Sequence, residues 1–199
     1  MKLLAFSDLH RDQVAAEMIV EASGDADVIV GAGDFATRGH GASDTLNILK
    51  RCKVPVVLVH GNHDDPDEIS MFCESWEHGH YLHGGSVVIN GQSFFGLGGE
   101  IPSRNSHDWN ATETEANASL LLKKCPKASI LISHTPPFGT ADLQTDGSHE
   151  GSVAIRNAAA DHQFKLILCG HIHNAWGMNG TVASAPVHNL GPTLNWFDI

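Results

Sequence analysis

Five short apolar runs, each breaking off into a polar cluster, restrict the fold of this 199-residue chain more than any other feature. Lys2-Leu-Leu-Ala-Phe6 leads into Ser7-Asp-Leu-His10, and Asp27-Val-Ile-Val30 into Gly31-Ala-Gly-Asp34. Val56-Val-Leu-Val59 leads into His60-Gly-Asn-His-Asp64, and Ala128-Ser-Ile-Leu-Ile132 into Ser133-His-Thr-Pro-Pro137. Lys165-Leu-Ile-Leu-Cys169 leads into Gly170-His-Ile-His173. Runs this short, without polar alternation, read as strands buried on both faces. Helices are expected between them: Arg11 to Ser23 stopped by Gly24, Ser43 to Arg51, and the Ala-rich Ser152 to His162. A fourth is expected over Thr112 to Lys124, opened by a Thr112-x-x-Glu115 capping box and closed before Pro126. Alternating strand and helix gives an α/β domain with mostly parallel strands, whose ligands bind outside the carboxyl ends of the strands. All five polar clusters lie at that edge.

The middle of the chain reads differently. Tyr81 to Leu82, Ser86 to Asn90 and Gln92 to Leu97 are strand candidates, with Asn90-Gly91 as a hairpin turn. Thr181 to Ala183, Pro186 to Leu190 and Leu194 to Asp198 add a β-rich tail. These segments predict a second sheet or further edges of the first. No linker, low-complexity tract or repeat divides the sequence, so one domain over 1–199 is expected.

The polar clusters supply candidate metal ligands. Asp8 and His10 stand two apart, which on an extended chain turns both side chains to one side; His171 and His173 repeat the spacing. Asp34, Asn62 and His134 add one donor each. Two carboxylates, one amide oxygen and four imidazoles suit Mn, Fe, Zn or Co and fit Ca poorly. Seven donors exceed what one catalytic ion with an open position can take, and suit two ions if a carboxylate bridges. Two divalent cations against two aspartates leave a local charge of about +2, the right field for a phosphate ester.

The set Asp8-x-His10, Gly33-Asp34, Gly61-Asn-His-Asp64, His134 and Gly170-His-x-His173 resembles the calcineurin-like metallophosphoesterases, with all blocks in order. The resemblance implies a four-layer α/β/β/α sandwich of two mixed sheets flanked by helices. It implies that Asp8, His10, Asp34 and His173 hold one metal and that Asp34, Asn62, His134 and His171 hold the other. It makes His63 the catalytic histidine, near the leaving oxygen, while Asp64 is a candidate to orient a neighbouring group. The nearest likeness is to small soluble proteins related to cyclic-nucleotide phosphodiesterases, through His134-Thr-Pro-Pro-Phe-Gly139 and Gly147-Ser-His-Glu-Gly-Ser152. The family's usual Asn-Pro-Gly stands here as Asn189-Leu-Gly191.

The expected activity is therefore hydrolysis of a small phosphodiester, with a water bridging two divalent metals as nucleophile. Phosphomonoester or phosphoprotein hydrolysis is the alternative within the family, and a non-catalytic interaction scaffold the alternative of another class. A net charge of -11 repels a phosphate backbone, which argues against bulk nucleic acid as partner and against a nuclease. Cys52, Cys73, Cys125 and Cys169 form no C-x-x-C pair and read as buried free thiols. The apolar stretch from Leu3 to Phe6 is too short for a signal peptide and no run approaches a membrane span, so a cytoplasmic location is expected.

Other features carry two readings each. His60 either packs at its strand end or joins the site, and His149 either faces substrate or is solvated. The segment from Glu100 to Asn110 is either a lid bringing Arg104 to a phosphate and Trp109 to a base, or a surface loop. The glycines at 31–33 and 96–99 lack the lysine of a phosphate-binding loop and point to close backbone approach.

Overall fold

The apolar runs are strands because each residue along them has something to pack against on its own side. The computed structural model describes residues 1–199. In chain order the first half holds β1 (Lys2–Phe6), α1 (Gln13–Ala22), β2 (Val28–Ala32), α2 (Ser43–Leu49), β3 (Val56–Val59), α3 (Pro66–Glu74) and β4 (Gly79–Tyr81). The second half holds β5 (Gly85–Ile89), β6 (Gln92–Leu97), α4 (Glu115–Leu122), β7 (Ile130–Ser133), α5 (Val153–His162), β8 (Leu166–Cys169), β9 (Asn179–Val182), β10 (Ala185–Asn189) and β11 (Asn195–Asp198).

Two sheets form. One has the order β11-β1-β2-β3-β4, parallel except for β11; the other has the order β5-β6-β7-β8-β10-β9, with antiparallel pairs at both margins. Alternate residues sort into different cores. Leu3, Ala5, Val28, Val30, Val57 and Val59 meet Phe94, Ile130, Ile132, Leu166 and Leu168 between the sheets. Their neighbours Leu4, Phe6, Ile29, Val56 and Leu58 pack outward with residues of α1, α2 and α3. Phe95, Leu131, Ile167 and Cys169 pack outward with residues of α4 and α5. Each such buried Leu, Ile or Phe contributes ~1.5–3 kcal/mol. The result is the α/β/β/α sandwich of two mixed sheets.

Several local expectations need correction. Helix α4 is capped not by Thr112 but by Thr114, whose side chain accepts from Asn117 N. Glu115 therefore does not reach back to its own cap. Its carboxylate accepts from Ser152 Oγ, Val153 N and Ala154 N at 2.7–2.9 Å and caps the start of α5 instead. A charged acceptor at a helix N-terminus is the favourable polarity. Helix α3 is not among the helices expected from the sequence, although Asp65 caps it and Pro66 occupies its first turn. The hairpin at Asn90-Gly91 is present, with φ of 51° and 80°, as a type I′ turn requires. All four cysteines are free and buried. Burial pushes Cys73 up to about 12 and Cys125 up to about 11, which makes both poor nucleophiles. No helix is long and apolar enough to cross a membrane.

Candidate metal centre

The carboxyl ends of β1, β2 and β3 in one sheet face those of β6, β7 and β8 in the other, and the candidate ligands follow directly from them. Asp8 and His10 come after β1, Asp34 after β2, Asn62 after β3, His134 after β7, and His171 and His173 after β8. The expectation that Asp8 and His10 share a side through extended backbone is wrong. Asp8, His10, Asp34 and His171 all have positive φ, at 55°, 44°, 58° and 70°. Left-handed backbone is strained in such residues, by ~1–3 kcal/mol each, and persists where surrounding structure enforces it. Here the enforcement is visible: Asp8 N donates to Gly33 O and His10 N to Asp34 O, at 2.9 and 2.8 Å. The two loops after β1 and β2 are laced together and turn their carboxylates inward.

All seven ligand positions converge. Asp34 Oδ2 lies 3.4 Å from His10 Nε2 and 3.5 Å from His134 Nε2, so this carboxylate sits between two groups. On one side His10 Nε2 and His173 Nε2 are 3.2 Å apart, with Asp8 Oδ1 4.0 Å from His173. On the other, Asn62 Oδ1 faces His134 Nε2 at 3.1 Å and His171 Nδ1 at 3.0 Å.

The second ring nitrogens fix which lone pairs point inward. His134 Nδ1 is 2.8 Å from Ala32 O and His10 Nδ1 is 3.2 Å from Ala36 O. A carbonyl can only accept, so both rings carry hydrogen on Nδ1 and present a bare Nε2. His171 is reversed, with Nε2 3.6 Å from Glu100 Oε1 and Nδ1 turned inward. With these rings neutral, lone pairs from imidazole, carboxylate and amide face one another, as a cation requires and bare protein disfavours. Donor atoms of Asp8, His10 and His173, and likewise of Asp8, Asp34 and His134, lie within 4.8 Å of one another. The residues fit a pair of divalent cations. A proton competes for the same place: burial opposes charge on His134, but the Asp34 carboxylate raises it well above the usual imidazole range.

His63 joins such a group with His10 and Asp34, yet it is differently wired. Its Nδ1 accepts from Arg38 N at 2.9 Å, so the neutral ring carries its proton on Nε2 and offers no lone pair there. Burial holds His63 below its ordinary value. Its backbone N–H donates to Asp34 Oδ1 at 2.8 Å, and its ring packs edge-on to His10 with centroids 4.8 Å apart. Asp64 accepts from Asp34 N, Ala36 N and Gly61 N at 2.7–2.8 Å and so ties the loop after β2 to the loop after β3. Gly33 completes the seam: at its φ of 93° an added Cβ would stand 2.5 Å from Gly61 N.

Three participants have no spacing signal in the sequence. Glu100, after β6, accepts from Asn110 Nδ2 at 2.8 Å, and Asn110 Oδ1 accepts from Asn62 Nδ2 at 2.8 Å. This chain sets the Asn62 amide with its oxygen inward. Trp176 donates from Nε1 to Asp8 Oδ2 at 3.0 Å. Glu100 was findable as the polar residue that ends the Gly98-Gly99 stretch after β6, by the same edge rule.

The remaining candidates lie elsewhere. His60 is buried against Tyr81 and His83, with its Nδ1 2.7 Å from the Tyr81 hydroxyl, and Gly98 packs on its ring. His149 Nδ1 pairs with buried Asp142 at 2.7 Å. Arg104 is held by Glu150 O and lies near Glu100. Trp109 packs against both His63 and His107, so its ring is engaged within the protein. The cleft over the centre has a volume of 260 Å³ and is lined by Asp34, Asn62, His63, Gln144, His171, His173 and Asn174. A larger cleft of 760 Å³ touches Arg38, His60, His83, Trp109 and Glu113 but none of the seven ligand positions, so the chemistry belongs to the smaller one.

The family model for calcineurin-like phosphoesterases matches residues 1–175, and the chain belongs to that family. Its activity is accordingly metal-dependent phosphoester hydrolysis. Among solved structures, TT1561 of Thermus thermophilus superposes with a TM-score of 0.78 at 19% identity, over 99% of this chain and 98% of that one. A phosphopantetheinyl hydrolase from Mycobacterium tuberculosis gives 0.62 at 16% identity, covering 96% and 90%. A dimetal phosphatase from Danio rerio gives 0.61 at 13% identity, covering 96% and 88%. At these identities the likeness is one of fold. No curated protein matches the sequence.

Proposed function

We propose that the chain is a phosphodiesterase acting on a small diester, with Asp8, His10, Asp34 and His173 around one divalent cation and Asp34, Asn62, His134 and His171 around the other. The charge of the cleft carries the diester preference. Its lining contains seven polar side chains and no lysine or arginine. Two divalent cations against Asp8 and Asp34 leave about +2, and Glu100 beside His171 is itself offset by the Arg104 guanidinium 3.8 Å away. Glu100 stays anionic, since burial would raise it but the His171 and Asn110 hydrogen bonds and the Arg104 N–H bring it down to about 2. A diester carries one negative charge, whereas a monoester approaches two at neutral pH. With no lysine or arginine lining the cleft, nothing beyond the two cations meets the second charge of a monoester, which favours the former.

When bound, the two cations supply an activated water nucleophile and neutralise charge on the phosphoryl oxygens. The protein supplies the rest. Asp34 spans the two positions, held by hydrogen bonds from His63 N and, through Asp64, by the loop seam. His63 lines the cleft, and its Nε2–H would donate to the leaving oxygen as negative charge develops there. Its Nδ1 accepts from Arg38 N, so the ring acts as a neutral donor that stabilises the departing alkoxide. Gln144 and Asn174 are joined by a hydrogen bond at the rim, where neutral amides can contact an ester group without adding charge. The completeness of the ligand set supports an enzyme over a scaffold.

The test is the ratio of hydrolysis rates for bis-p-nitrophenyl phosphate and p-nitrophenyl phosphate in Mn²⁺. A ratio well above one is expected, abolished by a chelator. A ratio well below one would replace the diester reading with a monoesterase.

A further inference from the structure

The Asp8 carboxylate is unusually occupied. Its Oδ2 accepts from Ser7 Oγ at 2.5 Å and from Trp176 Nε1 at 3.0 Å, while the His171 N–H is shared between Oδ1 at 3.1 Å and Oδ2 at 3.2 Å. A carboxylate oxygen has about two lone-pair directions, so Oδ2 is saturated by protein donors. Oδ1 has only the shared His171 N–H, so it is the oxygen left to face the centre, and it is the one that meets His173. Trp176 makes a second contact with the same half of the site: its ring lies against the His173 imidazole, with centroids 4.3 Å apart and planes 32° from parallel. His173 is half exposed and no hydrogen bond to protein fixes its outer nitrogen, so its orientation rests on the indole face and on the His10 ring, whose centroid is 5.1 Å away.

The seat of Trp176 is itself built. Gly191, at a φ of 71°, brings its backbone so close that an added Cβ would stand 2.8 Å from the indole. Gly191 N donates to Ser7 Oγ at 2.9 Å, and Ser7 N donates to Gly191 O at 2.9 Å. Ser7 Oγ in turn donates to Asp8. The glycine of Asn189-Leu-Gly191 thus holds both donors, Ser7 and Trp176, that converge on one carboxylate oxygen.

We infer that Trp176 is a positioning residue for one half of the centre: it holds Asp8 to single-oxygen ligation through Oδ1 and clamps His173, and thereby sets the affinity of the cation at Asp8, His10 and His173 without touching the other. This rests on the ligand assignment proposed above. Groups that orient metal ligands typically contribute ten- to hundredfold in affinity.

Trp176→Phe separates the two contacts, because it keeps a ring against His173 and removes the N–H to Asp8. Metal-free wild type and variant are titrated with Mn²⁺ alone by calorimetry, and their thermal unfolding is compared in chelator. Wild type is expected to bind two ions. In the variant one affinity stays as it was and the other falls about tenfold, with unfolding in chelator unmoved. Trp176→Ala, which also loses the clamp, weakens that same ion further. Two unchanged affinities, or two affinities lowered alike, would overturn the inference while leaving the two-ion centre standing. A wild-type chain that binds fewer than two ions would overturn the ligand assignment itself, and this inference with it.

Discussion

The two proposed halves of the centre meet at Asp34, and also at Asp8, whose carboxylate takes the His171 N–H. Around Asn62, His134 and His171 the side chains are sealed: His134 is 0% exposed and His171 10%. Each has its remaining polar atom held by Ala32 O, Glu100 or Asn110. Around His10 and His173 the rings stand 22% and 50% exposed. Asn62, His134 and His171 stand within three residues of the ends of β3, β7 and β8, whereas His10 and His173 stand four residues beyond β1 and β8. The difference teaches that one position is preorganised by the fold and the other by a few side chains, of which Trp176 is the chief. An ion in the first is expected to be structural as well as catalytic, and an ion in the second to exchange.

The largest expected effect tests the residue between the halves. His63→Ala should keep both ions and lower kcat by about 10²–10⁴-fold, as loss of a positioned proton donor does. Metal analysis beside single-turnover kinetics checks both parts. A variant that lost an ion would make His63 a ligand and break the division drawn here.

A smaller effect sharpens the comparison. In chelator, His134→Ala should destabilise the fold by ~2–4 kcal/mol, because it opens a cavity in a buried site and strands the Ala32 carbonyl. His173→Ala should change stability by only ~0.5 kcal/mol or less, as exposed substitutions do. Chemical denaturation of the two variants measures the contrast directly. Equal losses would mean that the halves are equally embedded.

The convergence of the candidate ligands was legible in the sequence. The ligands stand at the ends of apolar runs, and a parallel sheet brings such ends to one edge whatever their separation along the chain. The runs pointed to an α/β domain and left open whether the β-rich middle and tail form a second sheet; the four-layer sandwich came from the family resemblance, and the runs fit it because strands without polar alternation need a layer on each face. What escaped was geometry set by partners distant in sequence. The spacing of Asp8 and His10 suggests extended backbone, but hydrogen bonds to Gly33 and Asp34 force a left-handed turn. Thr112-x-x-Glu115 has the form of a capping box, but Glu115 finds the N-terminus of α5. Asp65 and Pro66 announce a helix by local rules, yet they stand directly after the Gly61-Asn-His-Asp64 block, which masks the signal. Glu100, Asn110 and Trp176 act through contacts that span 10 to 168 positions, for which no spacing rule exists.

The central claim is that these seven side chains hold two cations that share Asp34. Crystals grown with Mn²⁺ and measured by anomalous scattering test it most directly. Two peaks about 3.5–4 Å apart are expected, as in two-metal hydrolases. One should touch Asp8, His10, Asp34 and His173, and the other Asp34, Asn62, His134 and His171. A single peak, or a pair in which only one ion touches Asp34, would contradict it.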